Sequence, residues 1–291
     1  MQTVLVISSF VAASRVGASA SAFCLRRLGH DVIVLPTTLM GRHPGWGAPG
    51  GGAVETPRLE EMWEAIKAQD IKFDAVLTGY MGQAAHIPLA RDIITYIKTA
   101  NPQALILVDP VMGDFGPDGG KLYIPETRAQ AICKTLLPLA DIITPNLWEL
   151  GYITDKPLAS AQDAAQDALP ALKALGQSAI VTSVPYQDEI GALLYDGDNA
   201  AQSHHEKFAR VPHGGGDSLA GIYLGPYLRG DTPRLAMRKS VSALFQIMSL
   251  AHKHNQDNKQ QDNKQMSELP LIQGQDAIIN SPPLDFIELD I

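Results

Sequence analysis

A run of three glycines and an aspartate, Gly214, Gly215, Gly216 and Asp217, stands directly before an apolar segment that predicts a helix from about Ser218. Glycines let a backbone fold closely against a ligand, and a helix start adds about half a positive charge. The motif therefore predicts an anion-binding hole. Asp217, at its edge, is placed to accept a proton from a hydroxyl group that attacks a phosphorus atom held by the amides. The alternative interpretation is an ordinary capping aspartate at a helix start.

Two further motifs place acidic residues after predicted strands. Asp109 and Asp114 enclose the sequence DPVMGD, which follows an apolar run ending at Val108. Asn146 and Glu149 lie three residues apart at a predicted helix start, so they share one face. Carboxylates at such positions can face a hydrated Mg²⁺ ion, which prefers oxygen ligands and keeps several waters. The alternatives are solvated turn residues for the aspartates and a capping box for Asn146 and Glu149.

Other common chemistries lack their motifs in this sequence. There is no Walker A pattern, no GxGxxG after the first predicted strand and no GxSxG elbow, which disfavours P-loop, nicotinamide-binding and serine hydrolase functions. No pair of histidines has convincing zinc-ligand spacing. His213, beside the glycines, is most simply a loop residue, with contact to a nucleotide as the alternative.

The elements that must position these residues alternate regularly along the chain. Short apolar runs predict buried strands at 4–7, 31–35, 75–78, 104–108, 142–144 and 179–182. Helical spacing between them predicts helices at 16–28, 59–69, 90–99, 126–136, 146–153, 161–175, 218–228 and 235–252. Such alternation predicts an α/β fold whose parallel strands are joined by helical crossovers. Residues 190–195 and 206–210 predict an antiparallel edge.

This arrangement brings the three motifs together. Each of them follows a predicted strand or precedes a predicted helix, and open parallel sheets bind their ligands at the carboxyl ends of the strands. We therefore expect one site at that edge of the sheet.

Two segments break the alternation. The glycine-rich stretch 41–53 has no core pattern, and it is interpreted as either a solvent loop or a mobile flap. At 256–265 the pentapeptide QDNKQ occurs twice in tandem, so 255–266 is interpreted as a polar low-complexity insertion that buries no surface. The whole chain, 1–291, is expected to form a single domain around this insertion.

Composition excludes several classes of protein. The chain has 291 residues, of which 45% are hydrophobic and 19% charged, enough apolar surface for a large core. Its net charge of −8 opposes binding to nucleic acid or anionic membranes, and no window has the apolar length of a membrane span. The two cysteines, Cys24 and Cys133, lie in apolar helical patterns and are interpreted as core residues of a reduced, cytoplasmic protein.

Taken jointly, the motifs GGGD, DPVMGD and TPNLWE resemble the ribokinase-like superfamily and, within it, the pyridoxal kinases. The amino-terminal half is also similar to that family, in Ser9, Gly17, His43 with the glycines around Trp46, and the segment 78–82. The resemblance implies a three-layer αβα sandwich with a mostly parallel central sheet and an antiparallel edge. It also implies transfer of the γ-phosphoryl group of ATP to the 5′-hydroxymethyl group of pyridoxal, pyridoxine or pyridoxamine, with Mg²⁺ and often a monovalent cation such as K⁺. Members of the family are typically homodimers.

The resemblance assigns a role to each matching position. Asp217 would be the catalytic base and a substrate contact, and the amides of Gly214, Gly215 and Gly216 would steady the transferred group and the nucleotide. Magnesium and its waters would lie against Asp109, Asp114 and Glu149, two of which, Asp114 and Glu149, would also face ATP. The triphosphate would be lined by Asn146, Thr182 and Ser183. The pyridine ring of the vitamer would be framed by Ser9, His43 and Tyr80.

The sequence departs from the family pattern in the first loop. There the family usually has histidine, glycine and asparagine where this chain has Phe10, Ser14 and Ala18, and Gly215 stands where threonine is usual. A missing hydrogen-bond partner can change substrate discrimination by orders of magnitude. Two alternatives follow: a kinase of another small alcohol, such as a hydroxymethylpyrimidine or a sugar, and a non-catalytic protein that binds the vitamer or nucleotide.

Overall fold

The strands form one large sheet in the computed structural model, which describes residues 1–116, 119–174, 177–209, 211–257 and 268–289. Ten strands pair in the order β12-β11-β10-β9-β8-β5-β4-β1-β2-β3. The bounds of the ten are β1 Thr3–Val11, β2 Asp31–Met40, β3 Gly51–Ala53, β4 Ala75–Thr78, β5 Leu105–Val108, β8 Ile142–Ile143, β9 Ser178–Tyr186, β10 Glu189–Tyr195, β11 Ala200–Glu206 and β12 Ile287–Leu289. A separate two-stranded hairpin consists of β6, Gly113–Gly116, and β7, Gly119–Leu122.

The centre of the sheet is parallel and both edges are antiparallel. The six strands from β9 to β2 pair in parallel, whereas β10, β11 and β12 at one edge and β3 at the other run antiparallel to their neighbours. β1 pairs with β2 on one side and with β4 on the other, so the direction of winding reverses there. Crevices at such a reversal are where α/β sheets bind ligands.

Helices cover both faces of the sheet, which makes three layers. Leu5 and Ile7 of β1 pack into one core, whereas Val4 and Val6, which alternate with them, pack into the other. The first core lies under α2 Thr56–Lys67, α3 His86–Ala100, α4 Glu126–Thr135, α5 Leu147–Thr154, α6 Ala161–Asp163 and α7 Leu169–Ala174. The second lies under α1 Ala18–Arg27, α8 Gly215–Leu228, α9 Pro233–Asp257 and α10 Gln275–Asn280.

The predicted α/β architecture is confirmed, with corrections at the edges. Each strand predicted in the parallel centre is present, and β1, β2 and β9 are longer than their apolar runs. The edge strand predicted at 206–210 is wrong, because the partner of β10 is Ala200–Glu206. The glycine-rich stretch 41–53 contains a single 3₁₀ turn, Pro44–Trp46, and the strand β3.

The structure bears on three further predictions from the sequence, which concern the cysteines, membrane-spanning helices and the tandem repeat. Cys24 is buried as expected, whereas Cys133 is only half-buried. Within the described ranges, none of the helices combines the length and the apolarity that crossing a bilayer would require. Most of the tandem repeat, from residue 258 onward, lies outside the described residues.

Candidate active site

A cavity of about 510 Å³ opens at the carboxyl ends of the central strands and the start of α8. Its walls are formed by the segments that follow β5 and β8, by residues within β9 and β10, and by the loop that enters α8. Among its lining residues are all ten that the sequence assigned to catalysis, ATP or metal: Asp109, Asp114, Asn146, Glu149, Thr182, Ser183, Gly214, Gly215, Gly216 and Asp217. Residues up to 108 positions apart in the chain are thus brought to one place, since 217 − 109 = 108.

The glycine run forms the start of α8. Gly214 precedes the helix with φ 93°, and no side chain caps this end. A Cβ atom on Gly214 would lie 1.9 Å from the carbonyl oxygen of Arg15, so only glycine fits between the first loop and the helix. The N–H groups of the first helical turn have no partner within a helix and carry its positive dipole end. Gly214, Gly215 and Gly216 line the cavity, so these N–H groups stand where the sequence predicts an anion hole.

Asp217 is the third residue of α8, so it is not the residue that caps the helix. Its carboxylate instead accepts a hydrogen bond from the backbone N–H of Gly17, in the loop before α1. A Cβ atom on Gly79, at the end of β4, would lie 4.0 Å from Oδ1 of Asp217. The carboxylate therefore sits where β1 and β4 end, at the reversal of winding. Removal from water raises its pKa, against the opposing effect of the Gly17 N–H.

Asp109 lies close enough to Asp217 for the two charges to interact. Burial raises the pKa of Asp109 most, and the charges of Asp217 and Glu149 raise it further. The backbone N–H of Val111 opposes this by donating to the Asp109 carboxylate. Val111 has φ 44°, a conformation that is strained for a β-branched residue. Strain of this kind clusters at functional sites, and Ser183, which also lines the cavity, has a positive φ of 58°.

Glu149 forms the capping box considered from the sequence and also lines the cavity. With Asn146 it forms the capping box of α5, in which its Oε2 accepts from the Asn146 N–H, and its Oε1 accepts from the N–H groups of Met112 at 2.6 Å and Gly113 at 3.2 Å. These donors favour the charged carboxylate, but burial outweighs them and raises its pKa to about 7. Glu149 thus ties the segment after β5 to α5 while lining the cavity.

Asp114 is carried on the small β6–β7 hairpin rather than on a loop. Trp148 packs across this hairpin so closely that a Cβ atom on Gly120 would lie 1.7 Å from its indole nitrogen. Asn146 also holds the hairpin, because its side-chain nitrogen donates to the carbonyl of Gly113 at 2.8 Å. Burial raises the pKa of Asp114. The hairpin was not predicted, because its glycine-rich sequence has no strand-like alternation.

The four carboxylates, Asp109, Asp114, Glu149 and Asp217, fit a hydrated cation better than a closed metal cage. Among the described residues, no three His, Cys, Asp or Glu side chains form a ready metal-binding group, and no lysine or arginine forms an ion pair with any of the four. Magnesium is typically held by one or two carboxylates, waters and substrate phosphates. The oxygen-only donors and their uncompensated charge suit such an ion.

Sequence reasoning missed the far wall of the cavity. That wall is mainly apolar and is lined by Phe208, Leu219, Val241, Leu244 and Met248. Phe208 stacks on Phe245 with ring centroids 5.6 Å apart and on His252 at 4.8 Å. Such a slot suits a flat ring. The available signal was the apolar face of α9, which the sequence predicts as a helix without linking it to the site.

Tyr123, directly after β7, is a second residue that the sequence did not reveal. It lines the cavity, and its pKa is raised by burial and by the charges of Glu149, Asp109, Asp217 and Asp114. Its hydroxyl group therefore stays protonated among four acidic groups and can donate a hydrogen bond. Only folding brings it there, because nothing in its sequence neighbourhood marks it.

The three residues assigned to the vitamer, Ser9, His43 and Tyr80, lie outside the cavity lining. Ser9 is buried, and its Oγ would lie 2.2 Å from a Cβ atom on Gly17, so it adjoins the loop that binds Asp217. His43 stacks on His213 with ring centroids 4.5 Å apart, next to the glycine run. The hydroxyl of Tyr80 lies 3.5 Å from a guanidinium nitrogen of Arg128.

Known proteins resemble this chain over most of its length. A family model described as phosphomethylpyrimidine kinase matches residues 52–262. The pyridoxal kinase PdxY of Vibrio campbellii is 31% identical over 261 residues, covering 87% of this chain and 89% of the relative. That of Corynebacterium diphtheriae is 28% identical and covers 97% of both chains.

Solved structures share the fold. The pyridoxal kinase of Leishmania donovani, in complex with ADP and pyridoxamine, superposes with a TM-score of 0.88 at 22% identity and covers 100% of both chains. The pyridoxal kinase of Entamoeba histolytica superposes with a TM-score of 0.87 at 22% identity, covering 99% of this chain and 100% of that one.

Proposed function

The chain belongs to the phosphomethylpyrimidine kinase family and has pyridoxal kinases among its relatives, and on that premise we propose that it is a pyridoxal kinase. The reaction moves the γ-phosphoryl group of ATP to the 5′-hydroxyl group of pyridoxal, pyridoxine or pyridoxamine. One observation carries the proposal at the level of chemistry. Asp217 lies in the first turn of α8, beside the backbone N–H groups that begin this helix. It lines the same cavity as Asp109, Asp114 and Glu149.

Asp217 and the glycine run would perform the transfer itself. The hydroxyl oxygen of the vitamer bonds to the γ-phosphorus while the bond to the β,γ-bridging oxygen breaks, and the hydroxyl proton passes to the Asp217 carboxylate. A raised pKa makes that carboxylate the stronger base, and such a base contributes about 10²–10⁴-fold to the rate. The amides at the start of α8 would hold the negative oxygens of the transferred group.

Asp109, Asp114 and Glu149 would hold a magnesium ion and its waters. The ion supplies charge neutralisation for the phosphates when it is bound. Glu149 is already fixed by three backbone N–H donors, so its contribution is a rigid negative charge at a set place. Asp114, on the hairpin, is the carboxylate most free to adjust.

The nucleotide would lie along the rest of the cavity. Thr182 is held against the start of α5, since its N–H donates to the carbonyl of Pro145 at 2.9 Å. Together with Ser183 and Asn146 it would face the phosphates. The adenine ring would occupy the apolar slot beside Phe208.

The vitamer would bind beyond Asp217, where β1 and β4 end. Ser9, beside Gly17, and Tyr80, directly after Gly79, are proposed to frame its pyridine ring. His43 would approach from the glycine-rich stretch 41–53 through its stack on His213.

A kinase of hydroxymethylpyrimidine is the second candidate, and the first loop favours it. Phe10 replaces the histidine of the pyridoxal kinase pattern and is 39% exposed, so the polar environment of the ring differs from that pattern. A non-catalytic binding protein is disfavoured, because the base and the acidic cluster are all present in the cavity.

A panel of alcohols tests the proposal. The protein is incubated with ATP, Mg²⁺ and pyridoxal, and pyridoxal phosphate formation is followed by absorbance, with hydroxymethylpyrimidine and ribose assayed in parallel for ADP release. The proposal expects the highest kcat/KM with a B6 vitamer. A preference for the pyrimidine would establish the second candidate, and tight binding without turnover of any alcohol would establish a binding protein.

We further propose the cellular and assembly context by family analogy. The enzyme would act in the cytoplasm as a homodimer, as a single kinase domain, with K⁺ as its monovalent ion. Cys24 and Cys133 are both free thiols, as a reducing compartment requires.

A further inference from the structure

A glutamate near the carboxyl-terminal end of the chain clasps the first loop. Oε1 of Glu268 accepts a hydrogen bond from the Ser14 hydroxyl at 2.6 Å, and Oε2 accepts from the Arg15 N–H at 2.7 Å. Ser14 is 1% exposed and Glu268 is half-buried. Hydrogen bonds to a charged carboxylate are about twice as strong as neutral ones, and the two-pronged arrangement also fixes orientation.

The opposite side of that loop faces the catalytic residues. The Arg15 carbonyl lies against Gly214, where no Cβ atom would fit, and the Gly17 N–H donates to the Asp217 carboxylate. Residues 14–17 are therefore enclosed between Glu268 on one side and the start of α8 on the other.

Glu268 also contacts the segment that leads into the glycine run. Its backbone forms a parallel β-bridge with His213, the residue directly before Gly214. Glu268 thus contacts two segments, the first loop and the residues before α8. The Asp217 carboxylate and the Gly17 N–H meet between these segments.

Ser14 gives the clasp its side-chain half. The pyridoxal kinase pattern that this chain resembles has glycine at that position, and glycine would offer Glu268 only the backbone donor of Arg15. The serine is one of the departures of the first loop, and the structure gives it a partner. Ser14 therefore supplies the side-chain donor for the second hydrogen bond that Glu268 accepts.

We propose that Glu268, paired with Ser14, is a positioning residue for phosphoryl transfer, which holds the loop 14–17 so that the Gly17 N–H stays on the Asp217 carboxylate. The inference rests on the proposed function, because it concerns the orientation of the proposed base. Misplacement of a reacting group by about 1 Å costs up to a hundredfold in rate. The effect should fall on kcat, since Ser14, Arg15, Gly17 and Glu268 do not themselves line the cavity.

Three substitutions separate positioning from general stability. Glu268→Ala removes both acceptors. Glu268→Gln should restore function, because its carbonyl can accept from the Arg15 N–H while its amide donates to the Ser14 hydroxyl. Ser14→Gly removes only the hydrogen bond from the Ser14 hydroxyl to Glu268. The matched control is Asp276→Ala, which breaks the 2.8 Å ion pair of Asp276 with Arg27, another contact between the carboxyl-terminal segment and the first βα unit.

Kinetics and amide exchange give two independent results. We expect kcat for the best alcohol to fall about 10- to 100-fold in Glu268→Ala and about threefold in Ser14→Gly. Glu268→Gln and Asp276→Ala should stay within threefold of the wild type, with KM for ATP unchanged throughout. Hydrogen exchange at the Arg15 and Gly17 amides should accelerate at least tenfold in Glu268→Ala, without a change in the middle of α8.

Two outcomes would overturn the inference. If Glu268→Ala matched Asp276→Ala in kcat, or if exchange at Gly17 did not change, the clasp would have no positioning role, while pyridoxal turnover by the wild type would leave the proposed function standing. A wild type that phosphorylates no alcohol would overturn the proposed function and the catalytic part of the inference together. Exchange would then still report whether Glu268 holds the loop.

Discussion

The two ends of the proposed active site, one for the nucleotide and one for the vitamer, are built differently. The nucleotide end consists of strand ends and helix starts, with Asp109 and Glu149 buried at 7% and 2% exposure. The vitamer end consists of the end of β1, the first loop and the glycine-rich stretch 41–53, and there Phe10 and Trp46 remain 39% and 40% exposed. Local backbone rules dictate the first end, whereas long-range packing of loops dictates the second. The nucleotide end should therefore tolerate little change and the vitamer end should be where specificity varies.

Gly214→Ala, at the nucleotide end, should cause the largest loss of activity. The residue has φ 93°, and its Cβ atom would lie 1.9 Å from the Arg15 carbonyl, so the first loop and α8 must move apart. We expect kcat/KM to fall at least a hundredfold. The control is Gly197→Ala, because that residue also has a positive φ, 101°, but it does not line the cavity and no atom lies within 4 Å of a Cβ placed there. Equal activity of the two variants would contradict the close packing.

Magnesium affinity should depend on pH at the nucleotide end. Burial raises the pKa of Glu149 to about 7, so the group is mostly charged at pH 8 and mostly protonated at pH 6. A site that requires the charged form should bind Mg²⁺ about tenfold more weakly at pH 6 than at pH 8. Calorimetric titration of the protein without nucleotide measures this, with Glu149→Gln expected to show a flatter dependence. Tighter binding at pH 6 would contradict the sign.

Phe10→His should produce the smallest effect and should act only at the vitamer end. The substitution restores the polar group of the pyridoxal kinase pattern beside Ser9. We expect KM for pyridoxal to fall about threefold, with KM for ATP unchanged, because a regained hydrogen bond contributes about 0.5–1.5 kcal/mol. Steady-state kinetics with each substrate varied separately would show it. A change confined to the KM for ATP would contradict the assignment of Phe10 to the vitamer end.

Much of the nucleotide end could be predicted from the sequence because its rules are local. Apolar runs define strands, parallel strands place their carboxyl ends at one edge, and the residues that follow must converge there. Asp109, Asn146 and Thr182 are brought together for that reason. The capping box of Asn146 and Glu149 could also be predicted, since both residues lie within one helical turn.

The rest depended on contacts that no local pattern records. Tyr123 and Glu268 reach the site through long-range packing, the latter across 254 positions to Ser14. The edge strand Ala200–Glu206 was misplaced because its sequence, AAQSHHE, contains no β-branched or aromatic residue other than histidine, and pairing with β10 overrides its weak propensity. The apolar residues of α9 could not be divided between core and cavity from their spacing alone.

The most direct test of the central claim is single-turnover phosphoryl transfer by Asp217→Asn. The substitution keeps the size of the side chain and removes the base, so we expect the rate to fall a hundredfold or more, with nucleotide affinity and thermal stability close to the wild type. Near wild-type transfer accompanied by a loss of stability would contradict the claim and reduce Asp217 to a structural residue of α8.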